Sequence, residues 1–279
     1  MKEAEYQYVT GQARTSFPDL LATYQTLSDA AAQAASCTSD LYYGVGDRQT
    51  FDFFAADGSG DTTVVYFHAG YWQSRDKSTF RFLAPAFTCK GINVAVVNYP
   101  LCPTVSIGEL VEVTRASIRE VLRVANPFGR GSHRLIAAGH SAGGHIAVEL
   151  ALTDWVSRGF ERNPIDAVIA LSGVFNLTPL ITTTLNKKLG LSSATARQNS
   201  PVLRARAGLP RALFVVGAGE TPAFVEQSRD MHNAWRSVDN DSELLIIDGA
   251  DHFSLLENLV AGDSTLNQSV LGICSNARR

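Results

Sequence analysis

The sequence predicts a doubly wound α/β fold, a mostly parallel sheet with helices on both faces. Three observations predict it. Near-continuous apolar runs such as Val94-Ala95-Val96-Val97 suit strands covered on both faces. Segments with helical periodicity alternate with those runs, the rhythm of βα repeats. Finally, Gly139-His140-Ser141-Ala142-Gly143 sits between the apolar run Leu135-Ile136-Ala137-Ala138 and a helix-like run from Gly144 to Trp155. That is the strand, sharp turn and helix context of a nucleophile elbow.

Taken in order, the strand candidates are Phe51 to Ala55, Thr62 to His68, Ile92 to Tyr99, Arg134 to Gly139, Asp166 to Leu171, Arg211 to Val216 and Glu243 to Asp248. A helix candidate, Phe17 to Ala35, precedes them within an N-terminal extension of about fifty residues. Ser106 and Glu109 fit a capping box. Ile107, Leu110, Val111, Ile118, Val121 and Leu122 then recur at helical spacing. Further helices are expected from Ser141 to Val156 and from Thr221 to Trp235. Residues 177–203 break the rhythm with Thr182-Thr183-Thr184 and Gly190, and read as a small cap insertion; a surface helix pair without substrate contact is the alternative. No repeat or linker divides the chain, so residues 1–279 are expected to form a single domain.

Composition fits a soluble enzyme. The 279 residues are 45% hydrophobic and 18% charged, with a formal net charge of −3. That balance offers nothing to nucleic acid or to an anionic membrane. The first twenty residues lack the apolar core of a signal peptide, and no apolar run approaches membrane-spanning length. Cys37, Cys89, Cys102 and Cys274 are widely spaced, so they read as reduced thiols in a cytoplasmic protein. The expected partner is a small-molecule substrate. No cofactor, metal, nucleic acid or membrane is expected, and homodimerisation is an open option.

Ser141 is the candidate nucleophile. The turn lifts its hydroxyl above the sheet, at a helix start whose dipole and free amides favour developing negative charge. Bulky side chains at Gly139 and Gly143 would collide with the strand and helix. A serine needs a base, and the chain has six histidines. His140 adjoins Ser141 and is expected to point elsewhere; His145 lies inside the following helix. His68 reads as a brace for its loop, His133 opens a strand at the far edge, and His232 lies mid-helix on the surface. His252 follows the last strand, where catalytic groups of such sheets gather. The acid should close the preceding strand, which selects Glu220 in Gly217-Ala218-Gly219-Glu220. Asp251 and Asp248 are nearer in sequence, but a neighbour on an extended segment points away. The strand Val64 to Phe67 ends in His68-Ala69-Gly70-Tyr71-Trp72. There the amides of Ala69 and Gly70, with that of Ala142, form the candidate oxyanion hole.

These ordered motifs resemble the α/β-hydrolase type of kynurenine formamidase, close to the hormone-sensitive-lipase-like esterases. The resemblance runs from about Tyr66 to the carboxyl terminus. It rests on His68-Ala69-Gly70-Tyr71-Trp72-Gln73-Ser74, the elbow, Leu171-Ser172-Gly173-Val174-Phe175-Asn176-Leu177, Asn199-Ser200-Pro201, Glu220-Thr221-Pro222-Ala223-Phe224 and Asp251-His252-Phe253. Ala69 stands where that family usually has glycine, and Glu220 where it usually has aspartate. The resemblance implies an α/β-hydrolase fold and a Ser141–His252–Glu220 triad that cleaves an aryl formamide such as N-formylkynurenine. An aryl leaving group would want aromatic walls, for which Tyr71, Trp72, Phe175 and Phe253 are candidates; each could equally be core. A carboxylesterase acting on short-chain or aryl esters has the same residues, because a triad fixes the reaction and not the substrate. A non-catalytic binding module is the remaining class, disfavoured because no triad residue is missing.

Overall fold

The computed structural model describes residues 2–33, 36–58, 60–126 and 133–275. Eight strands form one sheet: β1 (Cys37–Tyr42), β2 (Thr50–Phe54), β3 (Thr62–Phe67), β4 (Ile92–Val97), β5 (Arg134–His140), β6 (Ala167–Leu171), β7 (Arg211–Gly217) and β8 (Ser242–Ile247). Their order is β1-β2-β4-β3-β5-β6-β7-β8. Pairing is antiparallel from β1 to β2 and from β2 to β4, and parallel through the rest. The seven strands expected from apolar runs are all present. β1 is an addition: it is a largely exposed edge strand, and Thr38-Ser39-Asp40 gives it no apolar run.

The helices are α1 (Lys2–Tyr8), α2 (Phe17–Ala32), α3 (Pro85–Thr88), α4 (Ile107–Ala125), α5 (Ala142–Leu152), α6 (Asn186–Leu189), α7 (Ser193–Gln198), α8 (Pro222–Arg236), α9 (Leu255–Val260) and α10 (Thr265–Ser275). The helix expected over Phe17 to Ala35 ends at Ala32; Ala34 and Ala35 lie outside the described residues. The capping box at the head of α4 forms as expected, with Ser106 Oγ accepting from the Glu109 amide and Glu109 Oε2 accepting from the Ser106 amide at 2.8 Å.

Side-chain alternation along each strand feeds two cores. Val65, Phe67, Leu135 and Ala137 face one way, against Ile107, Leu110, Ile146 and Trp235 of α4, α5 and α8. Val64, Tyr66, Ile136 and Ala138 face the other, against Tyr24, Phe87, Leu255 and Val270 of α2, α3, α9 and α10. Both faces are thus covered, which explains the unbroken apolar strands. From β3 the chain steps to β4 on one side and then to β5 on the other. The crevice beyond the carboxyl ends of β3 and β5 is therefore the switch point where such sheets bind ligands. Among the described residues, no helix is long and apolar enough to cross a membrane.

Candidate active site

The elbow is built as its glycines require. Ser141 has φ +56° and ψ −117°, a strained backbone for a residue with a side chain. A Cβ on Gly143 would lie 1.9 Å from the Phe67 carbonyl oxygen, and one on Gly139 would lie 2.3 Å from the Gly143 backbone. Only glycine lets β3, β5 and α5 approach this closely. The Ser141 amide donates to the Leu171 oxygen at 2.8 Å, tying the turn to β6. Ala142 is the first residue of α5, so its amide is one of the helix's orphan donors.

β7 and β8 deliver the other two groups. Glu220 follows β7, and its Oε1 accepts from the Gly217 amide at 2.8 Å and from Ser172 Oγ at 2.5 Å. Its Oε2 lies 2.7 Å from His252 Nδ1, and the carboxylate side chain is fully buried. Facing a carboxylate, Nδ1 carries the proton, which leaves Nε2 as the acceptor. The rival acids are engaged elsewhere. Asp251 pairs with Arg14 at 3.1 Å and accepts from the amides of Phe253 and Ser254, and Asp248 is exposed. Burial acts to raise the Asp251 pKa, but those amides, the Ser254 hydroxyl at 3.1 Å and Arg14 hold the carboxyl below its ordinary value.

The loop after β3 is braced from below. His68 is fully buried, its Nδ1 lies 2.7 Å from the Ala69 oxygen, and its Nε2 lies 3.1 Å from Asn98 Oδ1. Burial pushes its pKa down to about 4, against those hydrogen bonds. Tyr99 donates to the His68 oxygen at 2.7 Å. Among the described residues, the amides of Ala69 and Gly70 donate no backbone hydrogen bond. Tyr71, Trp72 and Arg75 all have left-handed backbones, at φ +50°, +57° and +76°. Three such residues in five positions mark a loop held under strain by its surroundings.

A cavity of about 220 Å³ gathers Ser141, His140, His252, Ala69 and Gly70. Its aromatic walls include Tyr71 and Phe253, two of the four expected. Trp72 and Phe175 require correction: both are fully buried in the core and do not line the cavity. The left-handed turn at Tyr71 and Trp72 sends the indole behind the loop, where it meets His145 edge-on with 5.0 Å between ring centroids. Phe175 packs against Phe214 at 5.6 Å. His140 also departs from expectation. It lines the cavity and lies 4.6 Å, centroid to centroid, from the His252 ring. Burial and the neighbouring His252 hold its pKa well below the ordinary value. His145 is buried in α5 with Nε2 2.8 Å from the Asn199 oxygen, His133 reaches Thr63 Oγ1 at 2.9 Å, and His232 reaches Ser242 Oγ at 2.7 Å.

The cover over the cavity comes mainly from the N-terminal segment. Tyr8, Val9, Gln12, Phe17, Leu21 and Tyr24 line it, whereas residues 177–203, expected as the cap, contribute Leu185. That segment instead contacts α1: Thr184 donates from its amide and hydroxyl to Glu5, at 2.7 and 2.6 Å. Tyr71 also donates its hydroxyl to the Tyr8 oxygen, linking the loop after β3 to the cover. Sequence reasoning missed this role because the spacing in α2 reports packing and not what is packed against. It also passed over Ser172 as a partner of Glu220, although its place at the end of β6 was a usable signal.

An eight-stranded sheet of this topology, with a strained serine at its switch point and a buried Glu–His pair beside it, defines a hydrolase of the α/β class. Residues 64–256 match the family model described as alpha/beta hydrolase fold, and the chain belongs to that family. It is similar to a kynurenine formamidase of Salmo salar, 28% identical over 96% of this chain and 95% of that one. A solved structure from Silicibacter sp. TM1040, provisionally named a thioesterase, is 26% identical with a TM-score of 0.84, covering 98% of this chain and 99% of that one. An esterase of Pyrobaculum calidifontis shares the fold at 17% identity, with a TM-score of 0.74 and coverage of 92% and 91%.

Proposed function

We propose that the protein is a serine hydrolase that cleaves an aryl formamide of the N-formylkynurenine type through Ser141, His252 and Glu220. The observation that carries this reading is the 2.7 Å contact of Glu220 with His252, whose ring lines the same cavity as Ser141. His252 takes the Ser141 proton as the hydroxyl attacks the carbonyl carbon. The amides of Ala69, Gly70 and Ala142 receive the oxyanion. His252 then protonates the leaving nitrogen, the C–N bond breaks, and water releases the acyl group by the reverse roles. Glu220 holds the imidazole in register and stabilises its charged form.

The substrate class rests on two supports. The kynurenine formamidase relative matches nearly the whole length of the chain. The cavity also suits such a molecule: a formyl group needs almost no acyl space, and Tyr71, Phe253, Phe17 and Phe80 offer faces to an aryl leaving group. Among the described residues, Arg75 is the one Lys or Arg lining the cavity, and it is exposed, so a leaving-group carboxylate would meet it there. A carboxylesterase is the second reading: a triad of this kind also cleaves esters, and the Silicibacter structure is named for thioester and not for amide cleavage. The four free thiols favour a reducing, cytoplasmic setting.

The test is a substrate panel on purified protein, with formylkynurenine, formanilide and short alkyl and aryl esters. A kcat/KM for the formamides above that for every ester supports the proposal. Turnover of esters with none of the formamides replaces it with the second reading.

A further inference from the structure

We propose that the cavity takes aryl formamides that carry a carboxylate, and that Arg75 reads this carboxylate alone and leaves an α-ammonium group unread. The inference rests on the serine-hydrolase reading above and goes beyond it by naming the charge that the substrate must bear and the residue that selects for it.

The Arg75 guanidinium reaches the cavity wall without a counter-charge. Among the described residues it has no hydrogen-bond acceptor and no ion-pair partner. Arg14, Arg48 and Arg81, by contrast, each bind a carboxylate, at 3.1, 3.1 and 2.6 Å. Partial burial pushes the Arg75 pKa down, and no carboxylate stands near enough to push it back. A partly desolvated cation with all its donors free is poised for an anion that arrives from outside.

Its position is built. The Arg75 backbone is left-handed at φ +76°, a conformation that the surroundings must impose. Arg48 donates from Nη2 to the Arg75 carbonyl oxygen at 2.7 Å and pins it. The stem runs against the oxyanion loop: a Cβ on Gly70 would lie 2.9 Å from Arg75 Cγ. The head lies over the ring of Phe17, the first residue of α2, with Cζ 5.3 Å from the centroid. The cation is therefore held within a side chain's length of Gly70. A formyl carbon bears only hydrogen besides its oxygen and nitrogen, so a carboxylate that meets Arg75 belongs to the leaving amine.

The same wall offers nothing to an ammonium. Among the described residues, no Asp or Glu lines the cavity. The Glu220 carboxylate is fully buried and taken by His252, Gly217 and Ser172. The carbonyl oxygens of Tyr8, Gly70 and Phe253 already accept from the hydroxyls of Tyr71, Ser74 and Tyr24. An ammonium would also share its sign with Arg75. A carboxylate thus gains a charge-assisted, fork-shaped contact, and an ammonium gains none.

The experiment deletes each charge from the substrate and the cation from the enzyme. The substrates are N-formylkynurenine, the same molecule without its ammonium group, the same molecule without its carboxylate, and formanilide. Each kcat/KM is divided by that for formanilide in the same enzyme, so a general loss of activity cancels. In the wild type the des-amino acid should exceed the decarboxylated amine by about tenfold or more, and N-formylkynurenine should not exceed the des-amino acid. That advantage should fall to near unity in Arg75→Met, and Arg75→Glu should reverse it in favour of the amine. Added salt should narrow the wild-type ratio, because Arg75 is exposed. Should Arg75→Met fail to fold, Arg75→Gln serves in its place. A wild type without preference for the acid, or a preference that survives loss and reversal of the charge, overturns the proposal. Turnover of N-formylkynurenine well above its des-amino form shows that the ammonium is read and overturns it equally. If the wild type hydrolyses none of the set, the formamide reading fails, and binding to Ser141→Ala tests Arg75 by itself. Calorimetry should give tighter binding of the des-amino acid than of the amine, a difference that vanishes when Arg75→Met is added. Equal affinities in the Ser141→Ala protein would sink the idea.

Discussion

His252 Nδ1 donates to Glu220 Oε2 across 2.7 Å, joining the loop after β8 to the loop after β7 through two buried side chains. The carboxylate is fixed from three directions, because Gly217 and Ser172 hold its other oxygen. An imidazole oriented this firmly presents Nε2 in one direction only, toward the cavity that Ser141 lines.

That relationship ranks the acids. Glu220→Gln should lower kcat/KM by roughly 10³–10⁴-fold, the scale seen when a triad acid is neutralised in place. Asp251→Asn should cost much less, because its carboxylate serves Arg14 and the turn that carries His252. Ser172→Ala should fall between them, since it removes one of three donors to Glu220. Circular dichroism confirms folding in each case. An Asp251 variant weaker than the Glu220 variant would refute the ranking.

Ser141→Ala should reduce turnover by roughly 10⁴-fold or more. A serine-directed phosphonate should add its mass to the peptide that contains Ser141 and to no other. Full activity in the alanine variant, or labelling at another serine, would remove Ser141 from the mechanism.

Much of this was legible from the sequence, for identifiable reasons. The sheet was readable because strands covered on both faces leave unbroken apolar runs, as at Val94 to Val97. Edge strand β1 was not, since an exposed strand needs no such run. The elbow was readable because Gly139 and Gly143 answer steric demands that any sequence must meet there. Trp72 was not, because closeness along the chain does not fix direction when the backbone turns left-handed at Tyr71 and Trp72. The N-terminal cover stayed hidden for another reason: Tyr8, Gln12 and Tyr24 are held at the cavity by long-range hydrogen bonds with Tyr71, Gln227, Thr221 and Phe253, which no local pattern encodes.

Acid should destabilise the fold well above the carboxylate range. His68, His140 and His145 are buried, and burial lowers the pKa of each in the folded state, to about 4 for His68. In the unfolded chain each titrates near 6.5. Between these limits the unfolded state binds protons that the native state refuses, so unfolding free energy falls as pH falls. The stability is fully present above about pH 6.5. It is lost progressively below that, levelling off for His68 beneath pH 4. His133 and His232 are shifted the same way by partial burial and add in the same direction. Urea midpoints at pH 7, 6 and 5 should therefore decline in order. A midpoint that is flat or rises over that range would contradict the assignment of neutral, buried imidazoles.

Trp72 separates packing from substrate contact. Its indole is fully buried and meets His145 edge-on at 5.0 Å, and the Trp72 carbonyl oxygen accepts from the Cys102 amide at 2.8 Å. Truncation leaves a cavity beneath the loop that carries Ala69 and Gly70. Trp72→Ala should cost about 3–5 kcal/mol of stability, the usual range for a buried aromatic. The loss of activity should follow the loss of the loop's support, so formamides and esters should decline by similar factors. Phe253→Ala, by contrast, alters a wall of the cavity and should impair aryl substrates more than small alkyl esters. Thermal melts and a two-substrate comparison of both variants decide the matter. If Trp72→Ala keeps its melting temperature and selectively loses aryl substrates, the indole contacts substrate and its assignment to the core is wrong.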